Sequence, residues 1–562
     1  MIFKLSQLFN NGTSWLEKKQ STILSAALII TVANIASSLA GLLRERLLIS
    51  SFFDSVETQL AYEAFQVAFQ IPDMLFQLLI LGAIAASFIP LFTELKKKSE
   101  QQAFVFTSSV MNLLLLIFVV FSVLIAVFAY PLTEWRTGAA FTMEQINVTV
   151  TLTRLMLFAQ LFFAVSNFLT GMLQSYRHFI VPAIAPVLYN LGIILGVYLF
   201  KGSFGIYSAG LGVILGAFLH MAMQLPLVWK LGWRPSLMIS FRSEPLRKLF
   251  RMMPPRVLTI GVSELQNLGL GFFATTIGGL SFVVIRLGMR LMTIPIRLFG
   301  VPISQASLPF LSQEAGEEQR QRFNSLVIQS LHQISFFALP ASALMLILRI
   351  PIVRLVFGAD NFPWQTTLST GRVVAVLAFS VAAQAMTQLL VRAFYALKNT
   401  KTPFYITLVT AVIFFLISAL SVKYTAWGVF GLAFALLFSS LAELLLFIVT
   451  LQRQLKSFAD KAFWWPQVKM IASSFLMAIF LYLPFKILDE LVFDTTRTLE
   501  LIALTLTTST IGMLVYVYFS LLFEVKELRY LTKIFSTVTR WRRLLASSKE
   551  VLVETSADSN EA

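Results

Sequence analysis

The sequence predicts an all-α polytopic membrane protein with about fourteen transmembrane helices, arranged as two parallel six-helix repeats around a central cavity plus two extra C-terminal helices. Three observations carry this prediction: composition, the recurrence of long apolar stretches, and an internal repeat. Of 562 residues, 57% are hydrophobic and 13% charged, about half the charged fraction of an average soluble protein. So few charges cannot cover the surface of a water-soluble globule, and the mean hydropathy of +0.78 agrees. The formal net charge of +16 would suggest a nucleic-acid partner in a soluble protein. In a membrane protein its distribution decides, and as shown below no nucleic acid is expected. The chain has no Cys, which excludes disulfides, thiolate metal sites and Cys nucleophiles. Its three histidines, His178, His220 and His332, lie far apart in sequence, so neither a clustered His metal site nor a cofactor is expected.

Along the chain, residues 1–22 place Ile2, Phe3, Leu5, Leu8, Phe9 and Leu16 among Lys4, Lys18 and Lys19, a pattern suited to a short interfacial helix. The first apolar stretch, 23–50, is too long for a signal-peptide core, so no cleavage is expected. Stretches long enough to cross about 30 Å of hydrocarbon follow at 62–93, 104–130, 149–173, 179–200 and 205–229, completing a first bundle over 23–229. A basic cytoplasmic linker, 230–256, leads to a second bundle over 257–450, with stretches at 257–277, 281–311, 325–348, 368–391, 403–422 and 427–450. Two more, 466–485 and 499–523, lie in the segment 451–523, and 524–562 is a cytoplasmic tail. With the N-terminus inside, the inner segments hold about 30 Lys+Arg and the outer loops about 7, which assigns both termini to the cytoplasm. The charge excess is therefore largely a topology signal, and only about +2 remains within the spans.

The repeat pairs 71–95, IPDMLFQLLILGAIAASFIPLFTEL, with 294–315, IPIRLFGVPISQASLPFLSQEA, and 171–187, GMLQSYRHFIVPAIAPV, with 392–408, RAFYALKNTKTPFYITL. Both pairs share an offset of about 220 residues, six spans in this segmentation, and matching prolines (Pro72 with Pro295, Pro90 with Pro309, Pro182 with Pro403). An even number of spans inserts both copies the same way up, so their symmetry axis runs along the membrane normal. Gly212 and Gly216, like Gly269 and Gly271, could be fragments of a phosphate-binding loop. With no strand or soluble domain around them, the reading is small residues that let helices approach.

An Arg, Lys or Asp at mid-bilayer costs about 2.5 to 3.5 kcal/mol, so such residues mark a cavity unless they snorkel out. Arg286, Arg290 and Arg297 of the eighth span fall within about 40° of one another on a helix, a single stripe expected to face the space between the repeats. The competing reading for Arg286, near the outer end, is snorkelling. The first span ends with Arg44, Glu45 and Arg46. The second carries Glu63 near its outer end and Asp73 about 15 Å further in. For Glu45 and Glu63, buried pairing with an arginine competes with a direct gating role. Arg154, Glu264, Arg372 and Glu443 are isolated charges in other spans. Glu264 and Asp73 are the acids best placed to carry a coupling proton or monovalent cation. Guanidinium forks match phosphate oxygens bidentately and stay charged when buried, so an anionic substrate is favoured.

The segments AGLLRERLLISSFF, EAFQVAFQIPDML and GAIAASFIPLFTEL resemble the opening of the MurJ (MviN) family, bacterial lipid II flippases of the multidrug/oligosaccharidyl-lipid/polysaccharide exporter superfamily. GMLQSYRHFIVPAIAPVLYN, GMRLMTIPIRLFGVPISQASLPFLS and RAFYALKNTKTP resemble later segments of that family, and the resemblance covers about residues 25–450. It implies an alternating-access transporter, not an enzyme, in the bacterial inner membrane. Its cargo would be lipid II, the undecaprenyl-diphosphate-linked disaccharide pentapeptide, moved to the outer leaflet for peptidoglycan synthesis. The resemblance also implies that helices thirteen and fourteen help form a groove for the lipid tail. Arg44 and Glu45 match the family's Arg-Asp pair, Glu63 an acid opening the second span, and Arg290 the cavity arginine of the eighth. The sequence departs from the family pattern at Phe76, Gln77, Leu81 and Met289, so a pyrophosphate contact from the second span is missing, and either Arg286 with Arg297 replace it from the other half or the cargo differs. Other expectations remain open on sequence: export of another polyprenyl-linked saccharide, cation-coupled drug export, a polytopic membrane transferase, or a scaffold that has lost transport.

Overall fold

The computed structural model describes residues 23–82, 88–176, 178–237, 244–316, 320–358, 361–455, 460–495 and 497–529. The interfacial segment expected over 1–22, and the tail from 530 onward, lie outside the described residues. All regular structure among the described residues is helical.

Helix α1 (Ile23–Phe52) is followed by α2 (Val56–Ala68), whose start is fixed by a reciprocal capping box between Ser55 and Thr58. A break at Phe69 separates α2 from α3 (Gln70–Phe76), which passes into a π-helical turn, Gln77–Leu81. Next come α4 (Ile89–Lys98) and α5 (Glu100–Val127), the latter capped by Ser99. A short helix, α6 (Ala129–Arg136), precedes α7 (Met143–Ser175), which opens on a Thr142–Gln145 capping box. Helices α8 (Ile180–Phe204), α9 (Tyr207–Ala222), α10 (Leu225–Lys230) and α11 (Glu244–Ile277) complete the first half. Gly205, Gly278 and Gly279 take positive φ at the turns that end α8 and α11, where a side chain would be strained.

The second half contains α12 (Ser281–Pro295), a π turn at Ile296–Gly300 and α13 (Val301–Gln313), then α14 (Arg320–Ile347) and α15 (Arg349–Phe357). It continues through α16 (Trp364–Ala396), α17 (Lys401–Tyr424), α18 (Val429–Leu455), α19 (Lys461–Ile487) and α20 (Thr498–Leu522). The two π turns bordering α3 and α12 each lie shortly after one of the matched prolines, Pro72 and Pro295.

By length and composition twelve helices among the described residues qualify to cross a membrane, two fewer than the fourteen expected. The stretches outside the twelve are 23–50 and 281–311. Both are helical, as α1 and as the run α12, π turn and α13, and both carry arginines at span depth. Leu116, Val119, Val120, Phe121, Val123, Leu124 and Val127 of α5 are exposed, a continuous apolar surface that only a lipid environment tolerates.

The chain divides into two interleaved units. The first comprises the described residues to Gly288 with Val353–Val373 and Thr407–Ser439. The second comprises Met289–Ile352, Val374–Ile406 and the described residues from Ser440. The first unit has an aromatic core of Phe88, Phe92, Phe106, Phe118, Phe168 and Trp233. In the same unit α8 and α9 touch backbone to backbone. A Cβ on Gly192 would lie 2.3 Å from Gly216 Cα, and one on Gly196 at 2.3 Å from Gly212 Cα. Gly269 is covered by the Phe415 ring and Gly271 by the Gln70 amide. These four positions in α9 and α11 are thus packing glycines, as membrane helices commonly use. The second unit is built on Leu311, Phe323, Leu389, Phe394 and Phe447. In it α19 and α20 pack on α14 through Phe336, Met470, Met477, Leu481 and Tyr516.

Candidate functional site

The residues that sequence reasoning singled out for their charge fall in both units, and in the first they sit inside hydrogen-bonded clusters. On α1, Arg44 Nη1 donates to Asn190 Oδ1 of α8 at 3.0 Å, and Nη2 approaches Glu45 Oε2 at 3.5 Å. Glu45 is almost fully buried, with 1% exposure. Its Oε1 accepts from the Tyr62 hydroxyl, and from Gln66 Nε2 at 3.1 Å. Asn190 is itself tied by Nδ2 to the carbonyls of Pro186, at 2.9 Å, and Ser37, at 3.3 Å. Arg44 is therefore oriented from both sides, while its buried Nε has no hydrogen-bond partner. A guanidinium with donors to spare at span depth is suited to an anionic group.

Glu63, buried on α2, is paired with neutral donors. Gln145 Nε2 donates to Oε2 at 3.1 Å and the Phe282 backbone N–H to Oε1 at 3.2 Å. Of these two acids, Glu45 pairs with an arginine, whereas Glu63 joins the starts of α7 and α12 to α2. Asp73 Oδ1 accepts from Gln160 Nε2 of α7 at 2.6 Å. Arg286 lies near enough to Asp73 and Glu264 for both charges to act on it, donates to Asn267 Oδ1 at 3.4 Å and has its guanidinium 5.8 Å from the Phe282 ring centroid. Asp73, Glu264 and Arg286 thus form one charge group drawn from α3, α11 and α12. Arg290 and Arg297 belong to the second unit, Arg290 half-buried and Arg297 exposed. Of the isolated charges, Arg154 is exposed and donates to the Ala126 carbonyl, Arg372 is exposed beside Phe430, and Glu443 is half-buried. No group of His, Asp and Glu among the described residues could hold a metal ion.

Much of the cluster is neutral and escaped a criterion based on charge. Tyr62, Gln66 and Gln70 recur at four-residue spacing with Asp73 three further on, which puts them on one helix face. That polar stripe was the available signal. Gln160 and Asn190 sit singly in apolar stretches, and Gln145 and Asn267, beside Glu144 and Gln266, leave no comparable stripe. Arg136 escaped because it lies on α6, between spans. It is buried, with Nη1 on Gln70 Oε1 at 2.7 Å and Nη2 on the Val67 carbonyl at 2.9 Å.

A polytopic helical chain with hydrogen-bonded charges at span depth is a multi-pass membrane protein of the transporter class. The family model described as lipid II flippase MurJ matches residues 56–522, and the chain belongs to that family. Among its relatives, a probable lipid II flippase MurJ of Bdellovibrio bacteriovorus is 25% identical over 518 residues, 91% of this chain and 96% of that protein. Another from Thermotoga maritima is 26% identical, covering 89% of this chain and 97% of its own length. The fold is similar to a solved structure of lipid II flippase MurJ in an inward closed conformation. There the TM-score is 0.73 at 23% identity, covering 88% of this chain and 98% of the other. It is also similar to an inward-facing multidrug resistance MATE family transporter, with a TM-score of 0.61 at 16% identity over 75% of this chain and 96% of the other.

Proposed function

We propose that this chain moves lipid II from the inner to the outer leaflet of the bacterial cytoplasmic membrane by alternating access, for cell-wall synthesis. The observation that carries the reading is the family match over 56–522. The half-buried, doubly oriented Arg44 supports an anionic cargo. Arg44, Arg286, Arg290 and Arg297 are the proposed cations for the diphosphate, where bidentate guanidinium pairing supplies both attraction and geometry. Glu45 positions Arg44. Glu63 acts in gating, since it ties α2 to α7 and α12. Asp73 and Glu264, which share the field of Arg286, are the proposed carriers of a coupling proton or monovalent cation.

The two six-helix copies over 23–229 and 257–450, the linker between them and the cytoplasmic placement of both termini belong to the same proposal. Transport requires no covalent chemistry, and the reading assigns no catalytic residue. Complementation of a bacterium depleted of its own lipid II flippase tests it. The wild-type chain, shown to be in the membrane, should restore growth, and failure to do so would overturn the assignment. Arg290→Ala should lower complementation at least tenfold in viable count. Full growth with that variant would remove Arg290 from the diphosphate.

A further inference from the structure

Arg136 is a buried cation, 6% exposed, that meets only neutral acceptors in its hydrogen bonds, Gln70 Oε1 and the Val67 carbonyl. Its Nε has no hydrogen-bond partner. Removal from water pushes its pKa down to about 10, so it stays charged at neutral pH. Burying a guanidinium against uncharged groups is costly, and a carbonyl at a helix break can be satisfied by a hydroxyl. The neighbouring Ala68 carbonyl, freed because Pro72 has no N–H, accepts from Thr153 Oγ1. Patching the break between α2 and α3 therefore does not by itself call for an arginine.

The other end of the contact leads inward. Gln70 accepts from Arg136 with Oε1 and donates with Nε2 to the Asn267 backbone carbonyl of α11 at 2.8 Å. Only this orientation of the amide satisfies both neighbours, because the flipped one would oppose donor to donor and acceptor to acceptor. Asn267 in turn presents Oδ1 to Arg286 Nη1 at 3.4 Å. The Gln70 amide reaches α11 because residue 271 is glycine: a Cβ there would lie 2.4 Å from Gln70 Oε1. Four residues are thus linked from the short helix α6, through α3 and α11, to an arginine of α12, the line entering Asn267 at its backbone carbonyl and leaving from its side chain.

We propose that Arg136 is a positioning residue for Arg286, acting through Gln70 and Asn267 to set where the Arg286 guanidinium is presented to an anionic lipid headgroup. The inference rests on the reading of Arg286 as a substrate cation. Its consequence is that the segment between the third and fourth spans tunes the grip on a diphosphate it does not touch. Groups acting through one another give non-additive substitution effects.

The test is binding of a radiolabelled polyprenyl diphosphate to the full-length protein in lipid nanodiscs, for wild type, Arg136→Gln, Arg286→Gln and the double variant. Arg136→Gln should weaken binding roughly threefold to tenfold when Arg286 is present and leave it unchanged when Arg286 is already Gln. An equal loss in both backgrounds, or none with Arg286 present, overturns the relay and leaves the role of Arg286 standing. Unchanged binding by Arg286→Gln alone overturns both. Should Arg136→Gln fail to fold, Gly271→Ala serves in its place. Alanine is favoured over glycine inside a helix, every charge is kept, and only the Gln70 amide is displaced. It should weaken binding over the same range, again only when Arg286 is intact, and full binding by Gly271→Ala would equally overturn the relay.

Discussion

At the scale of single residues, Glu45 is held by the Tyr62 hydroxyl, Gln66 and the neighbouring Arg44. Withdrawing one donor from a buried carboxylate leaves part of its desolvation unopposed, at about 1 to 3 kcal/mol. Tyr62→Phe is therefore expected to destabilise the protein by about 1 to 2 kcal/mol and to lower complementation, because Arg44 loses an anchored neighbour. Unfolding in detergent by urea titration measures the first effect, and an unchanged midpoint would refute it. The charged members Arg44, Glu45, Glu63, Asp73, Glu264 and Arg286 were legible in the sequence because a charge in an apolar helix is expensive enough to stand out. Gln145, Gln160, Asn190 and Asn267 were not, since one amide costs too little to break an apolar stretch. Arg136 was hidden for a different reason, as only tertiary structure shows that an arginine between spans is buried.

At the scale of elements, α19 and α20 are docked on α14 through an apolar face and a polar tie at one end. His332 of α14 faces the Phe463 carbonyl at 3.0 Å with Nε2 and Glu527 Oε1 at 3.2 Å with Nδ1. Burial alone would raise the Glu527 carboxyl. The hydrogen bonds from His332 and its own backbone, with the charges of His332 and Lys526, outweigh it and hold the carboxyl below the usual glutamate range. A carboxylate depressed on folding contributes stability that is present above its unfolded pKa, about 4.3, and is lost as pH falls through the folded value. Acidification from pH 5 to pH 3 should thus loosen α20 from α14, and Glu527→Gln should flatten that part of the profile. Hydrogen exchange of the 526–528 turn across that range measures it, and identical pH profiles for the two proteins would refute it. Helix positions were largely readable from apolar length. The breaks within them were not, because the turn at Phe69 and the π segments depend on which freed backbone groups find partners.

At the scale of the whole molecule, the uneven distribution of Lys and Arg predicts which loops face the cytoplasm. The native chain has no cysteine, so single introduced thiols report without background. Lys97→Cys, at the end of α4, should react with an impermeant maleimide only after cells are opened. Gly202→Cys, which has open space around its Cβ position, should react in intact cells. The reverse pattern would invert the topology. Fold class was the most legible level of all, since composition and span length depend on no particular contact. The count of spans was less so. The stretches 23–50 and 281–311, which carry Arg44 and the Arg286, Arg290 and Arg297 stripe, fall outside the twelve apolar spans, as expected where charged residues dilute hydrophobicity.

The π turns at Gln77–Leu81 and Ile296–Gly300 have a consequence for how these helices can vary. A π turn is an α-helix that has taken in one surplus residue without disturbing the register on either side. Each turn is therefore a reserve of slack. One residue can be lost there while every flanking side chain keeps its direction, whereas the same loss one turn away would swing the rest of the helix by about 100°. Related chains can change length at these two places without rotating Asp73 or Arg290 relative to the helix beyond the turn.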